Sequence, residues 1–182
     1  FGVLKKAYAK GLELRGRTLG IVGFGRIGQA LAKLAIGAGM KVVFSEMHDN
    51  NVDVELDFFD GQKATFTCEN IGFERVLAES DFISVHVPGG NLIGDDEISK
   101  MKDGVFLMNA SRGGVVNEEA LLAAIESGKV AGAGLDVYTN EPTPAVKILM
   151  NGKVSITPHI GAATMEAQDR IGTELAAHID AL

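Results

Sequence analysis

Three glycines with the spacing Gly-x-Gly-x-x-Gly constrain the fold of this chain more than any other feature. They lie in the stretch Gly23-Phe24-Gly25-Arg26-Ile27-Gly28, between the apolar run 18–22 and the run 29–35, which has helical apolar spacing. This pattern predicts a strand, a tight turn and a helix in direct succession. In such a turn Gly23 permits the bend, Gly25 lets a ligand approach the backbone, and Gly28 lets the helix pack closely on the strand. The positive end of the helix then favours a phosphate ligand.

An acidic residue follows the glycines at an informative distance. The strand predicted over residues 41–45 ends on Glu46, eighteen residues after Gly28. In dinucleotide-binding folds, a carboxylate about 20 residues after the glycines binds the ribose hydroxyls. The charge of Glu46 would repel a 2′-phosphate and no Arg follows it, so NAD is favoured over NADP. The alternative, a glycine turn without a ligand, is disfavoured once the strand, the helix and Glu46 are taken together.

Length and composition narrow the class of protein. The 182 residues, 46% of them hydrophobic, are enough for one globular domain. The net charge of -7 argues against binding to nucleic acid or anionic membranes, because both attract basic patches. No apolar run reaches the roughly 18 residues of a membrane-spanning helix. The single Cys68 cannot form an internal disulfide, so we expect a cytoplasmic protein. Separately, we expect no metal site. The chain lacks a signal peptide and does not begin with Met, which favours a piece of a longer protein.

The rest of the chain alternates between predicted strands and helices. Two alternating runs, 54–58 and 64–67, flank Asp60-Gly61 and predict a β-hairpin. The later elements are helix 74–79, strand 82–87, helix 95–101, strand 105–110, helix 118–127, strand 130–137, strand 154–157 and helix 165–181. Nearly continuous apolar strands between amphipathic helices predict a parallel sheet covered on both faces. The predicted fold is therefore α/β, a doubly wound sheet of the Rossmann type.

Residues that follow the strands are the candidates for a site, because ligands of such sheets bind beyond the carboxyl ends of the strands. Arg112 follows one strand, and its planar guanidinium suits a carboxylate, although a surface ion pair is an equally ordinary use. His159 follows the last strand and can exchange a proton near neutral pH. Glu141, in the loop after the preceding strand, can orient that imidazole.

A second histidine, His86, also follows a strand and competes with His159 for the role of base. The next residues, Val87 and Pro88, form an apolar wall that better suits contact with a flat adenine. A single histidine at the end of a strand is as often structural as functional. The residues alone therefore leave the pair of His159 and Glu141 as one hypothesis among others.

In this order, the segments resemble the D-isomer-specific 2-hydroxyacid dehydrogenases from about Gly11 to Leu182. The matching stretches are 20–28, 80–88, 109–114, 134–137, 140–142 and 157–162. The resemblance implies an NAD-binding Rossmann domain and an enzyme that acts on a small 2-hydroxy or 2-oxo acid. Residues 163–168 look most like the phosphoglycerate dehydrogenases of serine biosynthesis, which implies 3-phosphoglycerate as the substrate.

The resemblance also implies roles for individual residues. In that family the residue matching Arg112 binds the substrate carboxylate and carbonyl, the residue matching His159 is the acid and base, and the one matching Glu141 supports it. The family positions place Arg26 and Ile27 at the pyrophosphate, Glu46 at the ribose and Asp136 beside the nicotinamide. The residues expected to contact NAD are Gly23, Gly25, Arg26, Ile27, Gly28, Glu46, His86, Val87, Pro88, Ala110, Ser111, Arg112, Asp136, His159, Gly161 and Ala162.

The chain departs from the family pattern in three places. The loop after Pro88 is short, and the hairpin around Gly61 is longer than the usual link. The family's second domain, which binds substrate and is built from chain on both sides of the cofactor domain, is absent. We therefore expect residues 1–182 to form the NAD-binding domain, with 1–17 as a helix and linker from the absent domain and 164–182 as a C-terminal helix. The isolated chain should bind NAD, turn over substrate poorly and form a homodimer.

Other functions stay open on the sequence alone. Within the family, a glyoxylate or hydroxypyruvate reductase or a D-lactate type of reductase is the alternative to a phosphoglycerate dehydrogenase. From another class, the alternative is an NAD(H)-sensing binding protein, like the transcriptional corepressors that resemble this family and keep the same three catalytic residues. A third possibility is a cofactor and dimerisation module without independent activity.

Overall fold

Eight strands form a single sheet, and helices connect most of them. The computed structural model describes residues 1–7, 9, 11–48 and 50–180. The strands are β1 (Thr18–Val22), β2 (Lys41–Ser45), β3 (Val52–Asp57), β4 (Lys63–Asn70), β5 (Phe82–Val85), β6 (Val105–Asn109), β7 (Val130–Leu135) and β8 (Val154–Ile156). The helices are α1 (Gly2–Ala7), α2 (Arg26–Gly37), α3 (Phe73–Glu79), α4 (Asp95–Lys100), α5 (Glu118–Ser127), α6 (Val146–Leu149) and α7 (Met165–Asp180).

The order of strands across the sheet is β3-β4-β2-β1-β5-β6-β7-β8. All neighbours are parallel except β3 and β4, which form the predicted antiparallel hairpin. The six strands from β4 to β7 reproduce the order 3-2-1-4-5-6 of doubly wound dinucleotide-binding sheets. The connections reverse direction at β1, so the topological switch point lies beside the loop of glycines that follows β1.

Two apolar clusters pack on opposite faces of this sheet. Along β2 the side chains alternate, so that Val43 joins the cluster under α3, α4 and α5 while Phe44 joins the cluster under α2. On the second face α2 contacts β1, β2 and β3, whereas Phe82 and Met108 of the neighbouring strands are only partly buried. Within the described residues, helices therefore cover both faces over β1 and β2, and the cover predicted over β5 and β6 is incomplete on one face.

The predicted fold class is confirmed, and most element bounds agree with it. β1, β2 and α5 have the predicted bounds, because strong apolar runs or clear capping residues delimit them. Four strands end one or two residues early, at Val85, Asn109, Leu135 and Ile156, because the chain leaves the sheet before the predicted run ends. The sequence pattern does not predict α6, whose four residues are too few to show helical periodicity. The predicted C-terminal helix begins at Met165, and its last residues, 181 and 182, lie outside the described residues.

In the part of the chain that the structure describes, no helix is both long enough and apolar enough to cross a membrane.

Candidate functional site

The glycine loop lies at the carboxyl end of β1 and leads directly into α2. Gly23 has φ +89°, and a Cβ there would lie 2.5 Å from the carbonyl oxygen of His86. A Cβ on Gly28 would lie 2.5 Å from the carbonyl oxygen of Gly23, so both positions require glycine. Around Gly25, by contrast, no atom of the described residues beyond its chain neighbours lies within 4 Å of where a Cβ would be, and none of their side chains caps the helix there. Among the described residues this end of α2 is therefore open to an anion, and the loop fits a pyrophosphate.

Glu46 lies beside the glycine loop, at the end of β2. Its Oε2 accepts a hydrogen bond from the Phe24 backbone N–H at 2.9 Å, and its Oε1 accepts one from the Met47 N–H at 3.0 Å. These two backbone bonds hold the pKa of the Glu46 carboxyl below its usual value, so it is ionised at neutral pH. Asn70 supports this turn, because its Nδ2 donates to the carbonyl oxygens of Glu46 and His48. Sequence reasoning missed Asn70, which is 24 residues from Glu46.

His86 lies at the end of β5 and packs beneath the glycine loop through its backbone. Its Nε2 is 2.8 Å from Ser84 Oγ, and its buried Nδ1 has no hydrogen-bond partner among the described residues. Burial lowers the pKa of His86, so the ring is neutral at neutral pH. A neutral, partly buried ring suits the predicted apolar wall with Val87 and Pro88 better than it suits a proton acceptor.

His159 and Glu141 form the predicted pair at the other end of this edge. The His159 Nδ1 donates to Oε2 of Glu141 at 2.8 Å, which leaves Nε2 free to face a ligand. The other carboxylate oxygen of Glu141 accepts from the Tyr138 backbone N–H at 2.9 Å. The bond from His159 and then the bond from Tyr138 hold the pKa of Glu141 below its usual value. Glu141 is thus an ionised partner that fixes the tautomer and orientation of the imidazole.

Asp136, at the end of β7, holds the loop that carries His159. Its Oδ1 accepts from Thr157 Oγ1 at 2.5 Å and from the Ile160 N–H at 2.9 Å, and its Oδ2 accepts from the Gly161 N–H at 3.0 Å. Burial alone would raise the pKa of Asp136, but these three bonds together lower it. The loop needs such an anchor because His159 has φ +54°, a backbone conformation that residues other than glycine rarely adopt.

Arg112 follows β6 in a turn built around Asn109. The buried Asn109 accepts from both the N–H and the Oγ of Ser111 and donates from Nδ2 to the Arg112 carbonyl oxygen at 3.0 Å. The Arg112 guanidinium is exposed and donates from Nη1 to the Ser111 carbonyl oxygen at 2.6 Å. No hydrogen bond joins it to His159 or Glu141 in the described residues. Sequence reasoning missed Asn109, although its place in the Asn-Ala-Ser-Arg turn is a local signal.

Two further residues that sequence reasoning missed brace the loop around Glu141. The hydroxyl of Tyr138 donates to the Thr157 carbonyl oxygen at 2.7 Å, which ties this loop to the end of β8. The Thr139 N–H donates to Oε1 of Glu118 at 2.6 Å, which ties the same loop to the start of α5. The sequence identifies Glu118 only as an acidic residue in the first turn of a helix, so no sequence signal reveals this second contact.

The remaining predicted residues lie along the same edge of the sheet. Ser111 is buried, whereas Ile27, Ala110, Gly161 and Ala162 are exposed. Arg26 is exposed and pairs with Glu174 of α7. Because the strands are parallel, the edge presents Glu46, the glycine loop, His86, Arg112, the loop of Glu141 and His159 in that order. Among the described residues no group of three or more His, Cys, Asp or Glu side chains could hold a metal ion.

Known proteins match this chain over most of its length. Residues 2–161 match the family model described as the D-isomer specific 2-hydroxyacid dehydrogenase, NAD binding domain. A hydroxypyruvate reductase of Thermotoga maritima is 43% identical over 181 residues, which are 96% of this chain and 55% of the relative. A D-3-phosphoglycerate dehydrogenase of Mycobacterium leprae is 39% identical over 178 residues, 96% of this chain and 32% of the relative.

Among solved structures, a glyoxylate reductase from Paecilomyes thermophila matches with a TM-score of 0.77 and 34% identity, over 94% of this chain and 52% of that one. The chain thus spans about half the length, or less, of the relatives that it matches. The matching segment of the family is its NAD-binding domain, and NAD is the cofactor that this domain takes.

Proposed function

The chain belongs to the D-isomer-specific 2-hydroxyacid dehydrogenase family through its NAD-binding domain, and on that premise we propose that it carries the catalytic residues for hydride transfer with a D-2-hydroxy acid. One observation supports this proposal above all others. An imidazole oriented by a carboxylate at 2.8 Å lies on the same sheet edge as the open glycine loop. A dinucleotide along that edge would bring its reactive end towards the imidazole.

The proposed NAD site follows the order of residues along the edge. Glu46 would accept hydrogen bonds from the ribose, the glycine loop with Arg26 and Ile27 would hold the pyrophosphate, and His86, Val87 and Pro88 would contact the adenine. At the other end we propose contacts from Ala110, Ser111, Arg112, Asp136, His159, Gly161 and Ala162. A carboxylate has about four acceptor positions, and three of those of Asp136 are already used, so one is free for the nicotinamide.

His159 is proposed as the acid and base. When bound, NAD supplies the acceptor for the hydride that leaves the substrate carbon. The Nε2 of His159 accepts the proton of the substrate hydroxyl in that step and returns it in the reverse direction. Glu141 stabilises the imidazolium that forms, because its carboxylate is ionised and bonded to Nδ1.

Arg112 is proposed to bind the substrate. Its guanidinium uses Nη1 for the Ser111 carbonyl oxygen, and the exposed remainder of the fork can donate to a carboxylate and to the neighbouring carbonyl. Asn109 keeps the turn in place from within the sheet, so the base of the Arg112 side chain is fixed even though its end is exposed. This arrangement supports a 2-hydroxy acid over a simple alcohol, which would have no carboxylate to pair.

For the substrate itself we propose 3-phosphoglycerate, with hydroxypyruvate and glyoxylate as the second candidates. The support for the first is the likeness of residues 163–168 to phosphoglycerate dehydrogenases. Two of these residues also have local roles at the start of α7, because Thr164 Oγ1 accepts from the Ala167 N–H and Gln168 Nε2 donates to the Ala162 carbonyl oxygen. Hydroxypyruvate is supported by the reductase of Thermotoga maritima, which is 43% identical to this chain, against 39% for the phosphoglycerate enzyme of Mycobacterium leprae. Glyoxylate is supported by the reductase of Paecilomyes thermophila, whose structure matches this chain. We also propose a homodimer, on family membership alone.

The test uses the natural protein that contains these residues. It is assayed with NAD and 3-phosphoglycerate, and with NADH and hydroxypyruvate or glyoxylate. We expect turnover of at least one acid, and we expect His159→Asn to lower kcat by about 10²- to 10⁴-fold, the usual contribution of a general acid or base. His178→Asn, which changes an exposed histidine of α7, is the matched control and should keep wild-type kcat. Wild-type kcat in the His159 variant would refute the proposed base, and turnover of none of these acids would favour a role in NAD sensing.

A further inference from the structure

Arg26, in the glycine loop, is bound by a carboxylate from the far end of the sequence. Its Nη2 donates to Oε1 of Glu174 at 2.7 Å, and its Nη1 donates to Oε2 at 3.1 Å. Glu174 lies in α7, 148 residues away along the chain. Two parallel N–H to oxygen bonds are the bidentate arrangement in which a guanidinium also binds phosphate. Glu174 therefore occupies the face of Arg26 that a phosphate would use.

Helix α7 has few other attachments to the domain. From Met165 to Ile179 every residue except the half-buried Ala167 is exposed. The side chains of Thr164 and Gln168 bond within the turn that begins the helix. In the described ranges, the pair of Arg26 and Glu174 is the one ion pair between α7 and the rest of the fold. In the described residues this ion pair therefore joins the middle of α7 to the glycine loop.

We propose that Glu174 is a specificity-determining residue of the nucleotide site, which competes with phosphate groups of the ligand for Arg26. This inference rests on the proposed NAD site. A bound pyrophosphate at the start of α2 takes the guanidinium from Glu174, and the carboxylate moves away because two anions repel each other at that distance. Glu174 consequently weakens the binding of ligands with a pyrophosphate and has no effect on ligands without phosphate.

The expected size of the effect follows from exposure. The side chains of Arg26 and Glu174 are 84% and 52% exposed, so water and salt screen their attraction. Exposed pairs of this kind alter an equilibrium by about two- to fivefold at low salt. A pyrophosphate can therefore displace Glu174 from Arg26, because it also accepts hydrogen bonds from the N–H groups at the start of α2.

The test compares Glu174→Gln with the wild-type chain in calorimetric titrations with NAD, ADP and adenosine at low salt. The variant keeps the length of the side chain and removes its charge. The matched control is Asp169→Asn, which removes the same charge from an exposed residue of α7 that forms no ion pair among the described residues. We expect Glu174→Gln to bind NAD and ADP about two- to fivefold more tightly, with unchanged adenosine binding and a smaller gain at high salt. Asp169→Asn should bind all three as the wild type does.

The outcomes separate this inference from the proposed function. NAD binding by the wild type with no gain in Glu174→Gln would overturn the role of Glu174 and leave the NAD site intact. Equal gains in both variants would also overturn it, since the effect would then come from net charge. Weaker NAD binding by Glu174→Gln would overturn it as well, because the residue would then position Arg26 for the ligand instead of competing. No NAD binding by either chain would refute the NAD site and this inference together.

Discussion

Asp136 shows how one side chain can fix the geometry of a site without being its reactive group. It accepts hydrogen bonds from Thr157, Ile160 and Gly161, which surround His159 on both sides in the sequence. Those bonds hold His159 at φ +54° and thereby direct its ring towards Glu141. The proposed acid and base and its carboxylate partner thus depend on a third, ionised residue, which the resemblance connects only with the nicotinamide.

The charge of Asp136 predicts a stability that depends on pH. The pKa of Asp136 in the folded chain is below the value of about 3.9 in unfolded chains. The charge of Asp136 therefore stabilises the fold above about pH 3.9, and this stabilisation is lost as the pH falls through the folded pKa. Asp136→Asn should therefore lower the free energy of unfolding at pH 7, and the difference from the wild type should shrink below about pH 4. Urea unfolding at pH 7 and pH 3 measures it, with Asp169→Asn as the exposed control. A difference of the same size at both pH values would contradict this account.

At the scale of elements, the loops after β6 and β7 are packed backbone against backbone. A Cβ on Gly113 would lie far inside contact distance of the Tyr138 carbonyl oxygen, so no side chain fits between Arg112 and the loop of Glu141. This close approach couples the proposed substrate-binding residue to the proposed acid and base.

Gly113→Ala should therefore destabilise the domain, because these two backbones must move apart to admit a methyl group. We expect a loss of about 1–3 kcal/mol in the free energy of unfolding, the usual cost of overpacking. Gly152→Ala is the control, because its φ is not in the left-handed region and, among the described residues beyond its chain neighbours, no atom lies within 4 Å of the added methyl group. Urea unfolding measures the free energy of unfolding of both variants. Equal values would contradict the prediction, because the two loops would then separate without a loss of stability.

Local patterns predict most elements and only part of the site. β1, β2 and α5 follow from apolar runs and from the cap at Asn117, and the pair of His159 and Glu141 follows from position and resemblance together. The contacts of Asn70, Tyr138 and Glu118 join residues 19 to 24 positions apart, and their side chains carry no local pattern that points to a partner. The pair of Arg26 and Glu174 spans 148 residues and depends on where α7 lies, which no local rule specifies.

At the scale of the whole molecule, the chain spans about half or less of its relatives, so its assembly and turnover stay predictions. A homodimer through this domain should give twice the 19.2 kDa mass of the chain in light scattering at high micromolar concentration. A monomer mass under those conditions would count against it. Poor turnover by this chain alone is expected in either case, because remote contacts that orient a substrate contribute to the rate.

The glycine loop and Glu46 are proposed to form an NAD site, and calorimetric titration of this chain with NAD and NADP tests this site most directly. Glu46→Ala is the test variant, and Glu126→Ala, on the exposed side of α5, is the matched control. We expect the wild type and the control to bind NAD more tightly than NADP. Glu46→Ala should lose this preference, because the carboxylate that is proposed to bind the ribose hydroxyls and repel a 2′-phosphate is then missing. Binding of neither nucleotide by the wild type, or an unchanged preference in Glu46→Ala, would contradict the claim.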